Sequence, residues 1–406
     1  MRPVACCVQL GYTQSQGNAF DTYQRAAELL KTPEFSTYQQ WMPASGTKNE
    51  TPPQSPSPLA QHLAKLSYLK VKEGEVVRFA PALDLLARAQ LETYTTPKLA
   101  ATDFQLLANC KALAKLAADA EYVYLAEGQG ERSAQVLDQA LTMGQRIEGS
   151  SLLSVLVGIA VQAIAIAPYN RRMAAIPVGV ARTLANRTGE LLSDKAFVRA
   201  FLKGERDSLL DLIGTTINSM SQPDQQDGAS KQFRSLDSSS RIEWVNHATA
   251  IIDGSLDQTR QLLEGPESEW MKMSTPEQIE PFGDKDFDAP KSLKEVEATL
   301  RTASSFAGNR QMIQALLRGR TLMRLLRLHC LVIQYQWEHG TFPPTLAAAG
   351  IPAADQSDPF SGKQFQFVLQ GGSYRLFSLG IPQTGEIELK YQAPPGGTKM
   401  TDPDRP

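Results

Sequence analysis

The sequence predicts a mostly α protein: an irregular multi-helix bundle or solenoid-like body, closed by a small C-terminal α+β module of one helix and a three-stranded antiparallel sheet. Three observations carry this. The stretch Gly149–Asn170, GSSLLSVLVGIAVQAIAIAPYN, has no charged residue in a chain where 21% of residues are charged. On both sides of it apolar residues recur at spacings of three and four, the pattern of a helix with one buried face. After His339 the period drops to two, with Pro and Gly turn signals between the alternating runs.

The uncharged stretch reads as a helix in the middle of a helical core. At 1.5 Å per residue, Leu152 to Ala167 spans roughly 24 Å, short of a hydrocarbon layer of ~30 Å. Gln162 and the small residues Gly158, Ala160, Ala163 and Ala165 suit close helix–helix contact, and Pro168 ends the helix. A membrane-integrated chain using this segment is the alternative.

Composition narrows the function classes. At 406 residues the chain can bury large cores, and 42% hydrophobic residues with a net charge of −2 are ordinary for a globular protein. The basic footprint of a nucleic-acid binder is missing, so no nucleic-acid partner is expected. The four cysteines (Cys6, Cys7, Cys110, Cys330) make no C-x-x-C pair, and the four histidines (His62, His247, His329, His339) are scattered. No cofactor or metal is therefore expected. Residues 1–17 read as a flexible tail. Val4-Ala5-Cys6 also resembles the end of a lipoprotein signal, which leaves open an upstream anchor and membrane association through it.

In chain order, Asn18 caps a first helix with the face Phe20, Tyr23, Ala26, Ala27 and Leu30. The Pro-, Ser-, Thr- and Gln-rich stretch 31–58 reads as a long surface loop with Tyr38 and Trp41 tucked back. Helices follow near Leu59–Lys70 and Pro81–Leu91. Thr102 or Asp103 then caps a helix to about Glu127, Gly128-Gln129-Gly130 turns the chain, and a second helix runs to about Ile147. After the central helix come Val178–Leu192 and Lys195–Met220. Next are a polar linker at 221–240, a helix at Arg241–Leu263 stopped by Gly265-Pro266, and a loop at 265–291. Ser292 starts a long helical region that reaches His339. The α-helical domain is placed at 18–307, the long helix with its β module at 308–392, and a disordered tail at 393–406.

In the module, Gly340 and Phe342-Pro343-Pro344 end the helix. Asp358-Pro359-Phe360-Ser361-Gly362-Lys363 makes a tight turn, and Phe365, Phe367 and Leu369 alternate as a strand. Gly371-Gly372 turns a hairpin into Tyr374–Leu379, and Ile387, Leu389 and Tyr391 alternate as a third strand. A hairpin alone is marginal, so the helix and the third strand are expected to pack on it.

Candidate chemistry is sparse. Asp284, Asp286, Asp288 and Glu295 stand at positions 1, 3, 5 and 12 of a calcium-loop pattern, but Ala289 replaces its glycine. The favoured reading is a solvated acidic loop followed by Ser292 and Glu295 as a capping box. Arg320, Arg324 and Arg327 share one helix face and could meet phosphate or lipid headgroups. The commoner outcome is a solvated stripe paired with carboxylates of neighbouring helices. His329 and Cys330, adjacent on a helix, point about 100° apart and do not form a nucleophile–base pair. His339 suits the negative end of the helix dipole.

Within the hairpin, Tyr124, Gly128, Ser133, Leu137, Ala140 and Leu141 fall at spacings that resemble one tetratricopeptide repeat. The C-terminal unit, about residues 320–391, resembles the C-terminal half of the major pseudopilins of bacterial type II secretion systems. Tyr335, Gly340, Phe342-Pro343, Leu346, Asp358-Pro359-Phe360, Gly362-Lys363, Tyr374-Arg375-Leu376 and Ser378-Leu379-Gly380 carry the likeness. Ile381-Pro382-Gln383-Thr384-Gly385 stands where that family has its calcium loop, so calcium binding is not implied. The family's N-terminal membrane helix is missing too, so a pilus subunit is not the expected role. The opening NAFDTYQRAAELL and closing DPFSGK…YRLFSLG are similar to those of bacterial helical proteins, often membrane-anchored, with no assigned activity.

These resemblances imply a bacterial envelope setting, with a cytoplasmic one as the alternative. The expected function is a non-catalytic scaffold or adaptor for a protein partner, with Tyr124, Arg320, Arg324 and Arg327 as its interaction surface. The alternative is an enzyme whose site assembles from dispersed groups such as Asp253, Glu264, Asp284 and Arg310.

Overall fold

A computed structural model of the chain describes residues 15–40, 58–63, 66–95, 104–148, 152–170, 172–193, 196–273, 291–304, 310–380 and 385–391. It is mostly helical, with a small three-stranded antiparallel sheet near the C-terminus. A short strand β1 (Ser15–Asn18) leads into α1 (Ala19–Glu28), where the Asn18 side chain accepts from the Phe20 amide at 3.1 Å. Then come α2 (Pro33–Gln40), α3 (Pro58–Leu63), α4 (Tyr68–Arg78), α5 (Ala80–Ala89) and β2 (Glu92–Thr93). The hairpin α6 (Phe104–Ala126) and α7 (Gly130–Ile147) precedes the central α8 (Leu152–Ile166). Next are α9 (Val178–Ser193), α10 (Ala196–Ser221), α11 (Gly228–Ser235), α12 (Ser238–Glu264), α13 (Glu267–Met273), α14 (Leu293–Ser304) and α15 (Arg310–His339). Strands β3 (Gln366–Gln370), β4 (Ser373–Ser378) and β5 (Ile387–Glu388) form the antiparallel sheet in the order β3-β4-β5.

The central helix is where the uncharged stretch places it. It packs on α6, α7 and α15, as an all-round apolar helix must. Among the described residues no helix is long and apolar enough to cross a membrane. Gly158 makes the α7–α8 contact possible: a Cβ there would fall 2.5 Å from both the Gly144 carbonyl and Glu148 Cγ. Gly128, at φ +76°, makes the expected turn before α7. The caps proposed at Thr102 or Asp103 lie outside the described residues.

Several elements differ from the sequence reading, each for a local reason. The stretch 31–58 is not wholly loop. Thr32 Oγ1 caps α2 by accepting from the Phe35 amide at 3.1 Å, and Phe35 is buried edge-on to Phe79. Tyr38 also packs on Phe79, whereas Trp41 lies outside the described residues. The single helix expected at 59–70 is two, because Ser67 caps a new helix through the Lys70 amide. The polar linker at 221–240 contains α11. Asp227 and Asp237 cap α11 and α12 at 2.8 Å each, and Arg234 and Arg241 take up the main-chain carbonyls between. Helix α13 occupies the start of the expected loop after Gly265. Strands β1 and β2 pair in parallel, a contact no pattern announced. Arg146 of α7 holds β2 by donating to the Ala89, Gln90 and Glu92 carbonyls.

Two apolar cores result. The larger one runs through α1, α2, α4 to α9, the start of α10, the end of α12, α13, α15 and the sheet. The C-terminal module is thus welded to the body, and the Lys390 amide ties the last strand to Asn170 at 3.0 Å. The smaller core belongs to a lobe made by α10, α11, α12 and α14, with Phe233, Trp244, Ile252 and Val296 inside it.

Candidate functional site

The residues singled out in the sequence are mostly spent inside the fold. Arg320 pairs with Glu267 and donates to the Leu192 carbonyl at 2.7 Å, capping the end of α9. Arg324 lies 2.6 Å from the other Glu267 oxygen and donates to the Ser357 carbonyl. Arg327 pairs with Asp355 at 3.0 Å and donates to the Ala185 carbonyl. Their side chains are 13, 16 and 18% exposed, so the stripe is a buckle joining α9, α13 and the 355–357 segment to α15, not a solvated face. Tyr124 is buried, with the Arg132 guanidinium 4.2 Å above its ring. Beside this hairpin, α6 is covered by α1, α4 and α8.

Of the calcium-loop set, Asp284, Asp286 and Asp288 lie outside the described residues. Glu295 accepts from the Lys291 amide at 2.6 Å while its own amide donates to Ser292 Oγ, a helix cap. Among the described residues no group of three or more His, Cys, Asp or Glu could hold a metal ion. Burial pushes the thiols of Cys110 and Cys330 up to about 12, which keeps them protonated and poorly nucleophilic. His339 stacks on Tyr335 and donates to its carbonyl at 3.0 Å. Asp253 is committed to Arg206 at 2.7 Å, and Glu264, eleven positions further along α12, is about 16 Å away. Asp284 of that set also lies outside the described residues.

The structure shows buried charges the sequence reading missed. Lys72 Nζ lies 2.8 Å from Glu75 and 2.9 Å from Asp119, and Gln39 donates to both carboxylates. Burial raises the Glu75 pKa, and the Asp119 charge raises it further. Burial pulls the Lys72 ammonium down, but the two carboxylates more than offset this and raise it. Only the i,i+3 pair Lys72–Glu75 was visible in sequence; Asp119 comes from 47 positions away. Glu121 is fully buried on α6, and neither carboxylate oxygen has a hydrogen-bond partner among the described residues. Burial and then Asp119 lift its pKa well above the ordinary value.

Open clefts among the described residues include two on the smaller lobe. Helix α12 buries Trp244, Ala248, Ile252 and Leu256, and this leaves its opposite face to solvent. Between that face and α14 is an open cleft lined by His247, Ala250, Ile251, Gly254, Gln258 and Arg301, among others. Ala250, Gly254 and Gln258 recur every four residues, so they form one line along the floor. A Cβ at Gly254 would meet nothing within 4 Å. The floor is therefore low at Ala250 and Gly254, and the walls carry Arg301 and His247, the latter 3.5 Å from Glu297. Such a shape suits one face of a docked helix. On the other side of α12 a second cleft is spanned by the Arg206–Asp253 pair.

No protein family, no curated protein and no solved structure matches the chain.

Proposed function

We propose that the protein is a non-catalytic scaffold or adaptor whose α12–α14 cleft receives an amphipathic helix of a protein partner. One observation carries the reading: an open cleft whose floor is low at Ala250 and Gly254, on a lobe with its own core. The enzyme alternative draws on Asp253, Glu264, Asp284 and Arg310, of which Asp253 is paired with Arg206. The buried carboxylates Glu75 and Asp119 also converge, and Lys72 and Gln39 donate to both. Placement at the bacterial envelope rests on the resemblance of the C-terminal unit.

The test is site-specific photo-crosslinking. A benzophenone amino acid replacing Gln258 is expected to capture a partner that the same probe at the exposed Val77 does not. Gly254→Trp, which fills the cleft without touching the core, is expected to abolish that product at an unchanged melting temperature. Equal capture at both probe sites, or capture that survives Gly254→Trp, overturns the cleft reading. Recovery of the native protein in the soluble cytoplasmic fraction overturns the envelope placement alone.

A further inference from the structure

Strand β3 is an edge strand among the described residues. There it pairs with β4 alone, in the register Val368 to Arg375, Leu369 to Tyr374 and Gln370 to Ser373. The two-residue turn Gly371-Gly372, both at positive φ, closes on Gln370 and Ser373 as a hydrogen-bonded pair. The amides of residues 370, 368 and 366 therefore face β4, and those of 369 and 367 face away. At the far end the outer edge is taken, because the Phe365 amide donates to the Gln356 carbonyl at 2.9 Å. Among the described residues the main-chain groups of Phe367 and Leu369 meet no partner on the outer side.

Natural edges are usually guarded by a charge, a proline or a bulge. This one has none: the strand reads Gln-Phe-Val-Leu-Gln, with Val368 43% and Leu369 47% exposed. Its hydropathy is the same in both directions. Laid antiparallel on a copy of itself about Val368, Gln366 faces Gln370, Phe367 faces Leu369, and Val368 faces Val368. The outward-facing Phe367 and Leu369 then fall opposite each other, so each such pair exchanges both N–H···O bonds. No like charges meet. Lys363 comes opposite Ser373, and Arg375, one strand in, is held by Glu386 and Glu388. The glycine turn of one copy meets the Phe365 end of the other, where a Cβ at Gly371 or Gly372 would have nothing within 4 Å.

We propose that the β3 edge is a self-association surface at which a second copy of this chain pairs antiparallel about Val368, fusing the two sheets into one. The pairing does not depend on the α12 cleft. A contact of this length buries less than the standard interface of about 1,600 Å², so the dimer is reversible and concentration-dependent.

The experiment uses the full chain with Cys6→Ser and Cys7→Ser, since Cys110 and Cys330 are buried. Sedimentation equilibrium is expected to show a monomer–dimer transition. Val368→Lys places like charges face to face and is expected to weaken it by about tenfold or more, with an unchanged melting curve. Leu369→Pro removes only an outward amide, keeps the β3–β4 ladder and is expected to weaken it likewise. With added copper–phenanthroline as oxidant, Val368→Cys is expected to form an intermolecular disulfide, because the two thiols are directly opposed across a non-hydrogen-bonded pair. Leu369→Cys, which faces residue 367 of the other copy, is expected to crosslink far less. A chain that stays monomeric at every accessible concentration overturns the proposal, as does equal crosslinking of the two cysteine variants. Either result leaves the cleft reading standing.

Discussion

Nδ1 of His329 lies 2.7 Å from the Tyr374 hydroxyl, and both side chains are wholly buried where α15 meets β4. The Tyr374 phenol, its pKa lifted by burial, keeps its proton and shares a hydrogen bond with the neutral imidazole. This pair is a polar rivet between the helical body and the sheet.

The rivet titrates. Burial pushes the His329 pKa down to about 3, whereas the unfolded side chain titrates near ~6.5. Below about pH 6.5 the unfolded chain takes up a proton that the folded chain refuses. Stability from this group is therefore full above ~6.5 and declines as the pH falls towards about 3, by roughly 1.4 kcal/mol per unit. His329→Gln keeps a hydrogen-bond acceptor without a titrating ring. Urea midpoints between pH 7 and 4 are expected to fall less steeply in the variant; equal slopes would discard the assignment.

Glu121 has the opposite sign. Burial, then the Asp119 charge, holds its pKa well above the ordinary carboxylate range, so the folded chain keeps a proton that the unfolded chain releases above ~4.3. Its contribution is most favourable at acid pH and worsens as the pH rises. Glu121→Gln is expected to match the parent near pH 4 and to exceed it by on the order of a few kcal/mol at pH 8. Thermal melts across that range decide it, and a variant less stable at both ends contradicts the reading.

Lys72 holds Glu75 and Asp119 together below the surface. Lys72→Met leaves two carboxylates facing each other without their cation, and about 3–5 kcal/mol of stability is expected to be lost at pH 7. The loss is expected to shrink towards pH 4 as one carboxylate protonates. A loss under about 1 kcal/mol at pH 7 would show that the cluster is far wetter than its burial implies.

Two glycines test the helix contacts by the same substitution. Gly158→Ala drives a methyl against the Gly144 carbonyl and Glu148, and about 1–3 kcal/mol is expected to be lost. Gly254→Ala adds a methyl in open space, and about 0.5–1 kcal/mol is expected to be gained from helix propensity. Denaturant midpoints measured side by side should move in opposite directions. A common direction would mean that the α7–α8 crossing is not the tight one.

Much of the architecture was readable from the chain because its causes are local. The period of apolar residues placed α1, α8, α9 and α12 to within a few positions, and the switch to alternation after His339 placed β3 and β4. Asn18, Gly128 and Ser292 announced their caps and turn through residue type alone. The missed helices α2 and α11 begin with Thr32-Pro33 and Asp227, cap signals that a polar composition masked.

The candidate site was not legible in the same way. Arg320, Arg324 and Arg327 lie on one face by spacing, but whether that face meets water or carboxylates depends on Glu267 and Asp355, brought in by other elements. Periodicity showed that α12 has a second face and gave no sign that α14 would stop short of covering it. The sequence by itself determined where helices and strands form, since propensity, capping and hydrophobic period act within a turn or two of the chain. Only the tertiary structure decided which charges are buried, which helix faces are covered and which strand lies at the sheet edge. Those outcomes are set by desolvation and contact between segments tens to hundreds of residues apart.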